Sequence, residues 1–199
     1  MITLDFKNII GEGTARVVYE HPDDDQKCIK VVTQDKLQLK KRRRGLKALF
    51  FPLSSFDPTQ TEITLVRKLE RRIGENIFKY IPRFYGTVDT SAGKGSIFER
   101  VGKENLETYL KTHCFDAKLE KKLISIRDFF IQKRIHFSDW RESNFVIQEN
   151  ADKSDYNIFA VDGFEYTELI PITRIPYFSK KKMTRRASRM IARLKSMKC

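Results

Sequence analysis

Residues 139–144 read Asp139-Trp140-Arg141-Glu142-Ser143-Asn144, and their surroundings decide the fold. They follow a long segment, 117–135, that places Leu119, Leu123, Ile126, Phe130 and Ile131 on one face of a helix. They precede two short apolar strands, 145–148 and 157–161, and Asp162 stands directly after the second. An Asp and an Asn in one loop, with a further Asp after a hairpin, supply hard oxygen ligands for a divalent cation and a carboxylate that can take a hydroxyl proton. Asp and Asn are common turn residues, so each alone says little. Their order along helix, loop and paired strands says more.

Toward the N-terminus, residues 3–10 and 15–20 alternate apolar and polar, and 27–32 is rich in β-branched residues. Gly11 and Gly13 separate the first two runs, and His21-Pro22-Asp23-Asp24-Asp25 precedes the third, which predicts a three-strand meander. Lys30, in Cys28-Ile29-Lys30, lies on its last strand. Asp57-Pro58-Thr59 opens a helix with Ile63, Val66, Leu69 and Ile73 at helical spacing. Glu62 and Glu70 both lie on that helix, and spacing admits either as the ion-pair partner of Lys30. A strand pair over 81–88 and 95–101, across a Ser-Ala-Gly-Lys-Gly turn, and a helix over 104–112 complete the pattern. The expected architecture is α+β, a single domain 1–199 with a β-rich lobe 1–100 and a short α-rich lobe 101–199. The lobes join near 99–103, with a cleft between them.

The chain has 199 residues, 40% hydrophobic and 12% aromatic, enough to bury a core and too apolar for wholesale disorder. No apolar run reaches the roughly 18 residues of a membrane span, and residues 1–10 lack the apolar stretch of a signal peptide. Three scattered cysteines predict a reducing, cytoplasmic setting, with neither a disulfide framework nor metal-ligand spacing. The net charge of +13 is concentrated: residues 36–47 carry seven basic side chains and 180–199 nine, with no acid in either. The remainder holds 23 basic against 26 acidic residues, so the basicity is addressed to phosphate or remains as solvated faces. Residues 34–55 form a helix or an insertion. Residues 183–197 form a basic helix with Met183, Ala187, Met190, Ile191 and Leu194 on one side. Neither basic run interleaves aromatics for base stacking, which disfavours a nucleic-acid reader.

Taken together, these elements resemble the protein-kinase pattern. Gly11-Glu12-Gly13-Thr14-Ala15-Arg16-Val17-Val18 is similar to the glycine-rich loop, with Arg16 where the third glycine would stand. Lys30 occupies the place of the strand lysine, residues 139–144 match D-x-x-x-x-N, and Asp162-Gly163-Phe164 is a permuted D-F-G. More closely, the chain resembles the YrbL family, bacterial proteins described as members of the PhoP regulatory network. That resemblance rests on Gly11-x-Gly13 through Tyr19-x-His21-Pro22, Cys28-Ile29-Lys30, Ile81-Pro82-Arg83-Phe84-Tyr85-Gly86-Thr87-Val88, Asn144, Asp162 and Leu169-Ile170-Pro171.

The resemblance implies a kinase-like ATP-dependent phosphotransferase in a regulatory setting of envelope stress and cation limitation. Gly11, Gly13, Val18, Lys30, Glu99 and Val101 would bind the nucleotide. Glu62 would hold Lys30, Asp139 would be the base with Arg141 beside it, and Asn144 and Asp162 would hold Mg²⁺. His136-Phe137-Ser138 departs from H-R-D, and nothing after Phe164 resembles A-P-E. Those departures point to a small-molecule, sugar or lipid-headgroup hydroxyl as acceptor rather than a protein. The alternative they leave is a regulatory pseudokinase that binds nucleotide or a partner without transfer. Residues 180–199 are a candidate contact with the anionic inner-membrane surface.

Overall fold

The computed structural model describes residues 1–13, 16–32, 58–152, 154–164 and 176–197, together with 38 and 42. Apart from residues 38 and 42, the predicted helix or insertion over 34–55 lies outside the described residues, as does the string 169–171. The chain divides into two compact units, one of residues 1–68 and 83–100, the other of 69–82 and 101–199.

In the first unit, β1 (Ile9–Glu12), β2 (Val17–His21) and β3 (Asp24–Val31) form the meander. With β4 (Phe84–Thr90) and β5 (Gly93–Glu99) they make an antiparallel five-stranded sheet in the order β1-β2-β3-β5-β4. Strand alternation assigns the faces. Tyr19 pairs with Ile29 and Val17 with Val31, and these four bury one face under Ile2, Leu4 and Ile97. Val18 pairs with Lys30 and Lys30 with Ser96, so these side chains share the opposite face. The strand expected over 3–10 is interrupted by a 3-10 turn at Phe6–Asn8, because the Asp5 carboxylate accepts the Lys7 N–H at 2.9 Å. The β4–β5 turn is tighter than expected. The Thr90 hydroxyl bonds Ala92 N–H and Gly93 C=O, so pairing continues to Gly93. Helix α1 (Pro58–Ile73) begins at its proline, whose missing N–H costs nothing in the first turn.

The second unit holds a small sheet of β6 (Glu104–Asn105), β7 (Phe145–Glu149) and β8 (Tyr156–Ala160). Its helices are α2 (Leu106–Tyr109), α3 (Ala117–Gln132) and α4 (Pro176–Ser196). Asp116 caps α3 by accepting the Leu119 N–H at 2.7 Å. The helix stops at Gln132, short of the expected 135, where Arg134 turns left-handed at φ 51. Its apolar face meets α4, on which Met183, Ala187, Met190, Ile191 and Leu194 are all buried. An aromatic cluster of Phe130, Phe137, Trp140, Phe145 and Phe164 fills the space beneath the 136–144 loop. Cys28 is a buried free thiol that burial pushes above its ordinary pKa.

Gly102 tests the packing at the entry to β6. Its φ is +62, and a Cβ there would lie 1.9 Å from the Ile147 carbonyl oxygen. Gly102→Ala is expected to lower the unfolding free energy by at least about 2 kcal/mol, read by urea denaturation. Asp155 supplies a pH test. Hydrogen bonds from Lys122 and Lys118 hold its carboxyl well below the usual carboxylate range. A depressed folded-state pKa adds stability that is complete above about pH 4 and fades as pH falls toward the folded value. The melting temperature of Asp155→Asn is therefore expected to fall less than wild type's between neutral pH and about pH 2.

Candidate functional site

In the first unit the site grows from the sheet face that carries Lys30. Gly11 pairs with Val18, and Val18 with Lys30, so the glycine loop leads directly onto the lysine row. The Lys30 side chain is only 8% exposed. Its ammonium lies 2.7 Å from Glu62 Oε1 and 4.3 Å from the Phe98 ring centroid. Glu70 is exposed on α1, which resolves the choice that spacing left open. The other oxygen of Glu62 is bonded by Arg16, itself 11% exposed. Arg16 is a residue to which sequence reasoning gave no role. The signal was present, as a cation in the third glycine position of a phosphate-type loop. Gly13 N–H donates to Arg16 C=O at 2.9 Å. The Glu99 carboxylate accepts the Arg83 N–H at 3.1 Å, which ties the start of β4 to the end of β5, and Val101 is buried in the second unit.

In the second unit, backbone bonds draw the separated acidic residues together. Gly163 C=O accepts the Ser138 N–H at 3.0 Å and the Asp139 N–H at 3.4 Å. Val161 N–H donates to Asn144 C=O at 3.0 Å, and Asn144 Nδ2 donates to Asp139 C=O at 2.9 Å. Glycine is required at 163: φ is +102, and a Cβ would lie 3.0 Å from both the Asp139 oxygen and the Phe137 ring. The permuted Asp-Gly-Phe order thus has a local reason. Gly163 makes the close approach, and Phe164 inserts beside Phe137 with centroids 5.0 Å apart. The two oxygens of Asp139 are forked by Arg141, from Nε to Oδ1 at 2.7 Å and from Nη2 to Oδ2.

The donor set suits Mg²⁺. Asn144 is 8% exposed and its amide nitrogen is committed to Asp139, which leaves the amide oxygen as a ligand. Asp162 is exposed, with Oδ1 accepting the Gly163 N–H at 2.8 Å. Together they would offer a bound ion one carboxylate and one amide oxygen. The structure therefore brings together Lys30 with Glu62, Gly11 with Val18, and Asp139 with Arg141, Asn144 and Asp162, each group within one unit.

A family model described as PhoP regulatory network protein YrbL matches residues 2–195. The YrbL proteins of Escherichia coli (strain K12) and Shigella flexneri are each 24% identical over 184 residues, spanning 86% of this chain and 77% of theirs. Among solved structures, Rad53 1–466 in complex with AMP-PNP superposes with a TM-score of 0.64 at 12% identity, over 95% of this chain and 46% of that one. The fold is kinase-like: a β-sheet N-terminal region followed by a mainly helical C-terminal part.

Removing the carboxylate from the Lys30 pair leaves two cations in a largely buried place without it. Glu62→Gln is expected to cost about 3 kcal/mol of stability by denaturant unfolding. The double variant Lys30→Met, Glu62→Leu should cost less than Glu62→Gln, because it strands no charge. A double variant weaker than the single would show that the pair contributes stability in its own right.

Proposed function

This chain belongs to the YrbL family of the PhoP regulatory network, and on that premise we propose that it is an ATP-dependent phosphotransferase acting on a non-protein hydroxyl. The observation that carries this reading is the buried ion pair of Lys30 with Glu62, 2.7 Å apart on the face reached by the glycine loop. A lysine costs free energy to bury, and a carboxylate partner that fixes its ammonium is the arrangement that grips α- and β-phosphates.

The chain's own groups divide the work. Gly11 and Gly13 allow backbone N–H groups near the phosphates, Val18 offers an apolar surface for the base, and Glu99 and Val101 belong to the same nucleotide-binding set. Asn144 and Asp162 would hold Mg²⁺, which supplies neutralisation of phosphate charge when bound. The acceptor oxygen forms a bond to the γ-phosphorus as the bond from that phosphorus to the β,γ-bridging oxygen breaks. ADP leaves with that electron pair, and the hydroxyl proton passes to the Asp139 carboxylate. Both oxygens of Asp139 are held by Arg141, so the incoming hydroxyl must displace at least one of those bonds. That fork is also what favours the second reading, a pseudokinase that binds nucleotide or a partner and transfers nothing.

The basic helix belongs to the same proposal as a contact with an anionic membrane surface. Its apolar residues are buried within the second unit, so such a contact uses charge alone, through exposed residues such as Lys181 and Arg185. Among the described residues no helix is long and apolar enough to cross a membrane.

Thermal melting with and without Mg·ATP tests binding, since a ligand at ~100 Kd stabilises the native state by about 2.7 kcal/mol. Asp139→Asn is expected to lower turnover by roughly 10²–10⁴-fold with ATP affinity nearly intact. Asp162→Asn should weaken the metal-dependent binding as well. A melting shift with no turnover above that of Asp139→Asn would move the chain to the pseudokinase reading.

A further inference from the structure

Beside Asp139, wholly within the second unit, lies a cavity of about 520 Å³, a size suited to a small molecule. Its wall includes Asp139, Trp140, Arg141, Arg186, Arg189 and Arg193. Three of these arginines come from α4 at positions i, i+3 and i+7, one stripe about 10 Å long. Their charges are unevenly matched. Arg193 is held by both oxygens of Glu142, the longer contact 2.6 Å. Arg186 donates to the Ser138 carbonyl and has no carboxylate partner among the described residues. Arg189 is exposed and has no hydrogen-bond or ion-pair partner among the described residues. Trp140 is buried, and its indole N–H is likewise without a partner among them.

Guanidinium groups set against a concave wall select phosphate over neutral hydroxyl compounds, because two parallel N–H bonds match a phosphate edge. We propose that this cavity is the acceptor subsite and that the acceptor is a phosphorylated polyol of sugar-phosphate type. Arg186 and Arg189 grip its existing phosphate, while a free hydroxyl faces Asp139. The assignment rests on the phosphotransferase reading for its chemistry and on the cavity alone for its binding. The product carries a second phosphate. The acceptor hydroxyl gains the γ-phosphoryl group, its proton goes to Asp139, and ADP departs with the bridging oxygen.

Trp140 is the chain's single tryptophan, so its fluorescence reports on the cavity without any turnover. Glucose 6-phosphate is expected to change the emission along a saturable curve at 0.15 M salt, and glucose is not. Arg189→Ala and Arg186→Ala should each weaken that binding about tenfold or more, the loss of one charge-assisted bidentate contact. Lys121→Ala, which removes an exposed cation of α3 that does not line the cavity, should leave it unchanged. A parallel arm uses vesicles of phosphatidic acid in phosphatidylcholine. An emission shift with these and none with glucose 6-phosphate moves the source of the phosphate to a lipid headgroup and overturns the soluble acceptor.

Equal responses to glucose and to glucose 6-phosphate, or equal binding by Arg189→Ala and Lys121→Ala, would refute the site. Displacement of glucose 6-phosphate by Mg·ATP would assign the arginines to the nucleotide and refute the acceptor role. ADP release that depends on glucose 6-phosphate supports both readings. Saturable, Arg189-dependent binding without ADP release leaves the anion site standing and removes the phosphotransferase.

Discussion

A lysine ammonium buried on a β-sheet face sets a condition that much of the first unit meets. Alternation along β3 sends Ile29 and Val31 into the core, and the same alternation sends Lys30 to the other face. A cation there is stable only beside an anion, and Glu62 answers from α1 at 2.7 Å. The glycine loop is drawn into the same arrangement, because Arg16 takes the second oxygen of that carboxylate. Loop, strand and helix are thereby coupled through one side chain. A change at Glu62 acts on all three, whereas Glu70 is an exposed residue of the same helix.

The second unit meets a comparable condition with backbone rather than charge. Asp139 and Asp162 lie far apart in sequence, and the chain between them makes a helical turn and a hairpin. What holds their loops side by side is the Gly163 carbonyl, which accepts from Ser138 and Asp139. The Asn144 amide then bonds the Asp139 carbonyl from the other side. Each contact is an ordinary hydrogen bond, but the position needs a residue without Cβ at φ +102. The aromatic residues below act as a floor, with Phe137 in ring contact with Phe130, Trp140, Phe145 and Phe164.

How far this was legible in the sequence depends on the kind of signal. The period-two run on β2, the β-branched run on β3 and the period-3.6 faces on α3 and α4 were readable, because burial imposes them directly on residue type. The named apolar residues of α4 are all buried. Local competition was harder to see: the Asp5 side chain breaks the first strand, and the Thr90 hydroxyl tightens a turn, each through a bond two or three residues long. The choice between Glu62 and Glu70 was not legible, since helical spacing places both residues on α1 without saying which reaches a strand. Arg16 was visible only as a missing glycine. The cavity was invisible for another reason: Arg141 and Arg186 are 45 positions apart, and spacing cannot announce that a loop and a distant helix share a wall.

Helix α4 shows how one periodicity can serve two demands. Its apolar residues occupy a stripe that packs against α3, and Arg186 and Arg193 flank that stripe, with Arg189 further round the helix. An arginine at such a border can lay its methylene stem along apolar surface while its guanidinium turns to the cavity. Met190, which lines the cavity and is itself buried, is the meeting point of the two surfaces. Had Arg186 and Arg193 stood opposite that stripe, with Arg185, they would face water and bind anions only weakly and without geometry. Their border position places them close enough to the Asp139 loop for Arg186 to bond the Ser138 carbonyl. The same burial that stabilises the helix therefore fixes where its charge can be used.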